Sequence, residues 1–271
     1  MTIVQTLSNL DAKAKLHDNG TVTTSGRLAY GGDDSAVRQL LKDITELFST
    51  DAAFAALKAD GTVVTWGHPD YGGNSSAVQD LLTDVTTISE NRYAFAALKA
   101  DDTVVTWGDP YRGGHSHAIQ HLLTNVTALA ATHRAFAAMK ADGTVVTWGD
   151  PEDGGDSSAV QHLLTAITTI AATHWAFAAL KTDGTIVTWG DPDWGGDSSA
   201  VQHLLKGVTK LFSTEAAFAA LKTDNTVVTW GHHVLGGDSS AVKKDLIDIQ
   251  TIIPDQDGFT AIKRDGSKIS W

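Results

Sequence analysis

The sequence predicts an all-β chain: a seven-bladed β-propeller with about three strands per blade and a short helix in each inter-blade connector. Three observations carry that expectation. Trp66, Trp107, Trp148, Trp189, Trp230 and Trp271 stand 41 residues apart, with Ser25 in the seventh slot. Such a period marks a repeat architecture, in which one supersecondary unit buries its apolar surface only by stacking on the next. Within the unit, a stretch found intact at residues 53–67 joins an Ala-rich run to a β-branched run through a turn. The second position of that turn is Gly20, Gly61, Asp102, Gly143, Gly184, Asn225 or Gly266, residue types that tolerate the positive φ of a tight hairpin.

A two-residue turn at Asp101 and Asp102 places Ala96, Leu98, Val105 and Trp107 on one face of the third hairpin. Phe95, Ala97, Val104 and Thr106 then share the other. Both faces are largely apolar, so each hairpin is expected to lie between two neighbours. A short β-branched segment precedes each hairpin, as at 85–91 and 167–173, and reads as a further strand. After the hairpin comes a variable loop ending in Gly-Gly. The connector then follows, as at 197–205, where Ser199 and Gln202 have capping-box spacing and Val201, Leu204, Leu205 and Val208 have helical spacing.

The first copy is the most degenerate, with Lys13, Lys15 and Ser25 standing for Phe, Ala and Trp, and reads as a ring seam or a capping unit. The last copy carries Ile249, Ile252, Ile253, Phe259, Ile262 and Trp271, which favours closure onto the first copy over an open solenoid. Residues 1–271 are therefore expected to form one seven-bladed domain.

Whole-chain numbers narrow the function classes. The formal net charge is -12, with 20 Lys and Arg against 32 acids, so no nucleic-acid partner is expected. No apolar run approaches the roughly eighteen residues of a membrane helix, so no membrane insertion is expected. With no cysteine, disulfides and thiolate metal sites are excluded. The N-terminus lacks a basic segment followed by an apolar core. No signal peptide is visible, which fits a cytoplasmic chain or one exported without a visible leader.

Hairpins of the form ALKADGTVVTWGD, preceded by a V-x-x-I strand and followed by a Gly-containing loop, resemble the repeats of the regulator of chromosome condensation superfamily. Within it, they are most similar to the second class of secreted β-lactamase-inhibitor proteins. The resemblance covers nearly the whole chain and implies a seven-bladed propeller with three strands per blade. It also implies target binding through aromatic residues on one rim. Tyr93 and Trp175 match those aromatic slots, while Ala52, Arg134, Ala216 and Asp257 stand at the others.

Strand direction alone predicts where recognition sits. If the strands run up, down and up, the turn between the first two and the exit from the third share one rim, and the Asp-Gly turn lies at the other. The predicted partner-binding residues are Tyr71, Arg92, Tyr93, Tyr111, Arg112, His133, Arg134, His174, Trp175 and Trp194. Tyr, Trp and Arg are the types enriched at interface hot spots, and these side chains are expected to project past the strands. A protein partner is the leading reading, with a lectin-like, carbohydrate-binding propeller as the alternative. The loop aromatics differ from copy to copy, which favours protein over repeated sugar pockets.

No cofactor or metal is called for. The loop carboxylates around Asp150, Glu152, Asp153 and Asp156, and around Asp191, Asp193 and Asp197, could suit calcium, but Asp197 and its counterparts read better as caps. His117 with His121, and His232 beside His233, have zinc-like spacing. The recurrence of His121, His162 and His203 at one connector position reads better as a solvated face. There is no phosphate loop, nucleophile elbow or paired metal-binding helix, so no enzyme is expected.

Overall fold

The computed structural model describes residues 1–256 and 258–271; Asp257 lies outside the described residues. The chain divides into two compact units, Met1–Ala138 with Trp148–Asp150, and Met139–Thr147 with Pro151–Trp271. Copies one to three lie in the first unit and copies five to seven in the second, and the residues of copy four are divided between them. Among the described residues there are seven three-stranded antiparallel sheets, each formed by consecutive strands. They match a seven-bladed β-propeller.

Copy two shows the repeat, with strands Ile44–Ser49, Ala53–Lys58 and Val63–Gly67. The turn's second position has positive φ in all seven copies, from 60° at Asn225 to 85° at Gly266. The loop, however, is one residue longer than the sequence reading had it. Lys99 N donates to Thr103 O, and Leu98 pairs with Val104, so residues 100–102 form a three-residue turn ending in the left-handed Asp102. A slip of one residue exchanges faces. Phe95 and Trp107 therefore share a face, and their rings stack with centroids 5.1 Å apart.

That corrected register explains the packing. Phe95, Ala97, Val105 and Trp107 of copy three pack onto Ala53, Ala55, Leu57 and Val63 of copy two. In the second unit, Phe218, Ala220, Val228 and Trp230 pack in the same way on Ala176, Ala178, Leu180 and Ile186. In these pairs the later hairpin presents a bulky face to its predecessor and the earlier one an Ala-rich face to its successor. Phe54, Phe95, Phe136, Phe177, Phe218 and Phe259 are fully buried, and each contributes about 1.5–3 kcal/mol by leaving water. The Trp230 indole N–H also donates to Gly195 O of the preceding copy at 3.1 Å. A Cβ at Gly195 would lie 2.7 Å from the Phe218 ring, and its φ is +100°, so glycine is required there.

The terminal copies follow the same logic. The face of copy one that corresponds to the Phe–Trp face carries Lys13, Lys15, Thr23 and Ser25. In copy seven, Phe259, Ala261, Ile269 and Trp271 belong to the cluster shared with copy six, and the opposite face carries Thr260, Ile262, Lys268 and Ser270.

The connectors are turns and short 3-10 segments such as Gln202–Leu204, not α-helices. The predicted capping box is replaced by a polar relay. Thr188 and Ser198 hydroxyls share a hydrogen bond, Ser198 donates to Gln202 Oε1, and Gln202 Nε2 donates to Ile186 O. The relay uses Ser198 in place of Ser199 and satisfies a carbonyl on the edge of the third strand. Ser199 N instead donates to Asp197, so Asp197 caps a turn.

Candidate functional site

In copies one to six the first turn and the exit loop meet at one end of the sheet, as strand direction requires. In copy three, Asp109 N donates to Tyr93 O at 3.1 Å, and the buried Asn91 amide donates to Arg112 O at 2.7 Å. In copy five, Asp191 N donates to Trp175 O, and the Thr173 hydroxyl donates to Trp194 O at 3.0 Å. The position occupied by Asn91 and Thr173 was not singled out as a lock by the sequence reading. Its signal was there: Asn9, Thr50, Asn91, Thr132, Thr173, Thr214 and Asp255 are all short side chains with an acceptor oxygen.

The next residue of the turn links successive copies. In the first unit Leu10 N donates to Asp51 O, Asp51 N to Arg92 O, and Arg92 N to His133 O. In the second unit His174 N donates to Glu215 O at 2.8 Å. These backbone bonds fix the spacing of the variable side chains that flank them.

Four of the sequence-predicted residues come together in the first unit. The Tyr71 and Tyr93 rings lie 5.2 Å apart, and the Arg112 guanidinium sits 4.3 Å from the Tyr93 centroid. Arg112 is paired with Asp109 at 2.7 Å, and Arg92 with Asp51 at 2.7 Å. Burial raises the Tyr71 phenol above its ordinary pKa. His133 joins through its carbonyl to Arg92, and Arg134 pairs with Asp150 at 3.6 Å. Tyr111 stands apart from this cluster, 83% exposed. The arginines are thus neutralised by carboxylates, and Asp51 is a member the sequence reading did not single out.

Three more come together in the second unit. The Trp175 and Trp194 rings are 3.9 Å apart, and His174 lies edge-on to Trp175 at 5.2 Å. His174 Nε2 faces Glu215 Oε1 at 3.9 Å. His232 stacks on Trp194 at 4.9 Å, a contact no sequence spacing announced. Tyr93, Trp175 and Trp194 are half-buried against these neighbours, so they do not simply project past the strands.

In four copies the turn and exit residues are matched. Asp11 faces Arg27, Tyr93 faces Arg112, Arg134 faces Asp150, and Trp175 faces Trp194. Where the turn residue is Ala52 or Ala216, the exit loop opens with His68 or His232. Among the described residues, no group of three or more His, Cys, Asp or Glu side chains is placed to hold a metal ion, and no helix is long and apolar enough to cross a membrane.

No protein-family model matches the chain, and no curated protein matches it by sequence. Solved structures do match. Human WBSCR16 aligns at 14% identity over 85% of this chain and 76% of its own, with a TM-score of 0.50. Prp20p of Saccharomyces cerevisiae aligns at 14% identity over 97% of this chain and 77% of its own, also with a TM-score of 0.50. At that identity the likeness speaks for the fold alone.

Proposed function

We propose that the chain is a non-catalytic binding module that takes a protein partner at the loop end of its sheets. One observation carries this reading. On a backbone repeated almost unchanged, the turn and exit loop pair Asp11 with Arg27 in copy one, Tyr93 with Arg112 in copy three, Arg134 with Asp150 in copy four and Trp175 with Trp194 in copy five. Rigid sheets with variable loops are how recognition surfaces are built, and aromatic and Arg side chains are the usual anchors. Prp20p, of the same fold, is described with its binding to Gsp1p and histones, which supports a protein-binding role. A carbohydrate reading finds less support, because Trp175 and Trp194 spend ring surface on each other instead of offering equal platforms from copy to copy.

The test is capture from the native host's lysate by immobilised protein. A band retained by the parent and by Asp142→Ala, but lost with Tyr111→Ala or Trp175→Ala, is the expected result. A band indifferent to both loop variants, or strong glycan-array binding without protein capture, would overturn it. Inhibition of a β-lactamase is a narrower form of the same reading, resting on Tyr93 and Trp175, while Ala52, Arg134 and Ala216 depart from the aromatic pattern. A cephalosporin hydrolysis assay with added protein decides that point directly.

A further inference from the structure

The polar relay of the connectors is complete in copies two to five and broken in copy six. In copy two the Ser75 hydroxyl donates to Gln79 Oε1 at 2.8 Å, and Gln79 Nε2 donates to Val63 O at 3.0 Å. Gln120, Gln161 and Gln202 repeat both bonds, with Ser116 and Val104, Ser157 and Val145, and Ser198 and Ile186. A main-chain carbonyl only accepts, so the orientation of each amide is fixed, with its NH2 on the strand and its oxygen on the serine. Four copies thus show one site filled by a carboxamide.

Copy six keeps the donor and the acceptor of that site and puts Lys243 in place of the glutamine. Thr226 O accepts from Lys222 N, and Val227 pairs with Leu221, so the Val227 carbonyl points away from the neighbouring strand, as the Val63 carbonyl does. Among the described residues no side chain donates to it. Ser239 accepts from the Thr229 hydroxyl at 2.9 Å, which leaves its own O–H without an acceptor among the described residues. Lys243 is exposed and makes no hydrogen bond or ion pair among the described residues. Copy one is no parallel, since Asp34 stands there in place of the serine and is paired with Arg38 at 2.6 Å.

Both groups can be reached. Val227, Ser239 and Lys243 line one cleft of about 210 Å³, with Val201, Leu204 and Val228 as its apolar wall. Ser239 is half-buried, whereas Ser75, Ser116, Ser157 and Ser198 are only 4–5% exposed beside their glutamines. In copies two to five a connector side chain already reaches the carbonyl equivalent to that of Val227. The cleft has room for one side chain and falls short of the roughly 300 Å³ at which pockets for drug-sized ligands begin.

We propose that copy six binds a primary carboxamide of the kind carried by Gln and Asn. Its oxygen accepts from Ser239, its NH2 donates to Val227 O, and Lys243 takes a carboxylate beside it. The site lies on the free edge of strand Val227–Gly231 and does not depend on the loop-end reading. Amide NMR spectra test it, with acetylated, amidated Glu-Gln-Glu as the probe and Glu-Met-Glu, of equal length and charge, as the control. Saturable shifts at Val228 and Ser239 are expected with the first peptide and not with the second. Lys243→Gln supplies the carboxamide from within, as in copies two to five, and should abolish them. Lys243→Met removes the charge alone and should weaken binding several-fold. Gln202→Lys recreates the copy-six arrangement in copy five and should add a second set of shifts at Val187 and Ser198. N-acetylglutamine separates the sources: binding as tight as the peptide's points to a small free amide, and much weaker binding to a side chain of a partner protein. Equal binding of the two peptides, binding indifferent to Lys243→Gln, a folded Gln202→Lys without the second set, or no saturable shifts would overturn the proposal.

Discussion

Asn91 closes its own turn and holds the exit loop that Arg112 belongs to. Its Oδ1 accepts from Tyr93 N and Ala94 N, each at 2.8 Å, while its Nδ2 donates to Arg112 O at 2.7 Å. One buried side chain thus sets the height of two variable loops. Asn91→Ala leaves a buried N–H and a carbonyl without partners and is expected to cost about 2–3 kcal/mol of stability. Asn91→Thr should cost less than about 1 kcal/mol, because Thr173 makes the equivalent bonds to Ala176 N and Trp194 O at 3.0 Å each. Urea denaturation of both variants checks the contrast.

Just before each first strand, from copy two onward, the chain passes through a left-handed residue: Asp43, Asp84, Asn125, Ala166, Gly207 or Asp248. Five of these are Asp, Asn or Gly, which tolerate the conformation. Ala166, at φ 57°, does not. Ala166→Gly removes the steric penalty and loses some chain entropy on folding, so a net gain of about 0.5–1 kcal/mol is expected. A midpoint in urea that stays put or falls would contradict it.

The hairpin turns make stability depend on acid. The Thr62 hydroxyl, and then its backbone N–H, donate to Asp60 and hold its carboxyl at about 2. The carboxyls of Asp101, Asp142, Asp183, Asp224 and Asp265 are lowered by the same bonds from Thr103, Thr144, Thr185, Thr226 and Ser267. A carboxyl depressed in the folded state stabilises it above the unfolded value of about 3.9, and that contribution fades as pH falls through the folded value. Unfolding free energy should therefore decline between about pH 4 and pH 2. Asp60→Asn should make the decline shallower, and an unchanged slope would mean that these turns do not carry it.

The repeat length, the three strands and the left-handed turn residue were all legible in the sequence, because each recurs at a fixed interval and each has a local physical cause. The register was not. A two-residue and a three-residue turn both end in the same Gly, Asn or Asp, and both hairpin faces are apolar, so alternation could not decide between them. That slip hid the stacking of Phe95 on Trp107. In the last copy too, Phe259 stacks on Trp271, and both belong to the cluster shared with copy six. The sharing of one end by turn and exit loop followed from strand direction and holds in copies one to six. The contacts of His232 with Trp194 and of Asp51 with Arg92 join residues 38 and 41 positions apart, in different copies, and only the folded chain brings them together.

The loop end is tested most cleanly at Tyr111. Its side chain is 83% exposed, so Tyr111→Ala should change stability by no more than about 0.5 kcal/mol. If it is an anchor, the same change should weaken partner binding by about 2 kcal/mol or more. Trp175→Ala should weaken binding comparably, but it also removes the ring that meets Trp194 at 3.9 Å and should lower stability by about 1 kcal/mol. Asp142→Ala, in the hairpin turn at the other end of its sheet, should leave affinity unchanged while modestly lowering stability, since Asp142 accepts from both the hydroxyl and the N–H of Thr144. Surface plasmon resonance against the captured partner, with each variant's melting curve alongside, separates the two effects. If affinity falls with Asp142→Ala and not with Tyr111→Ala, recognition belongs to the Asp-Gly turns and the opposite end of the sheets.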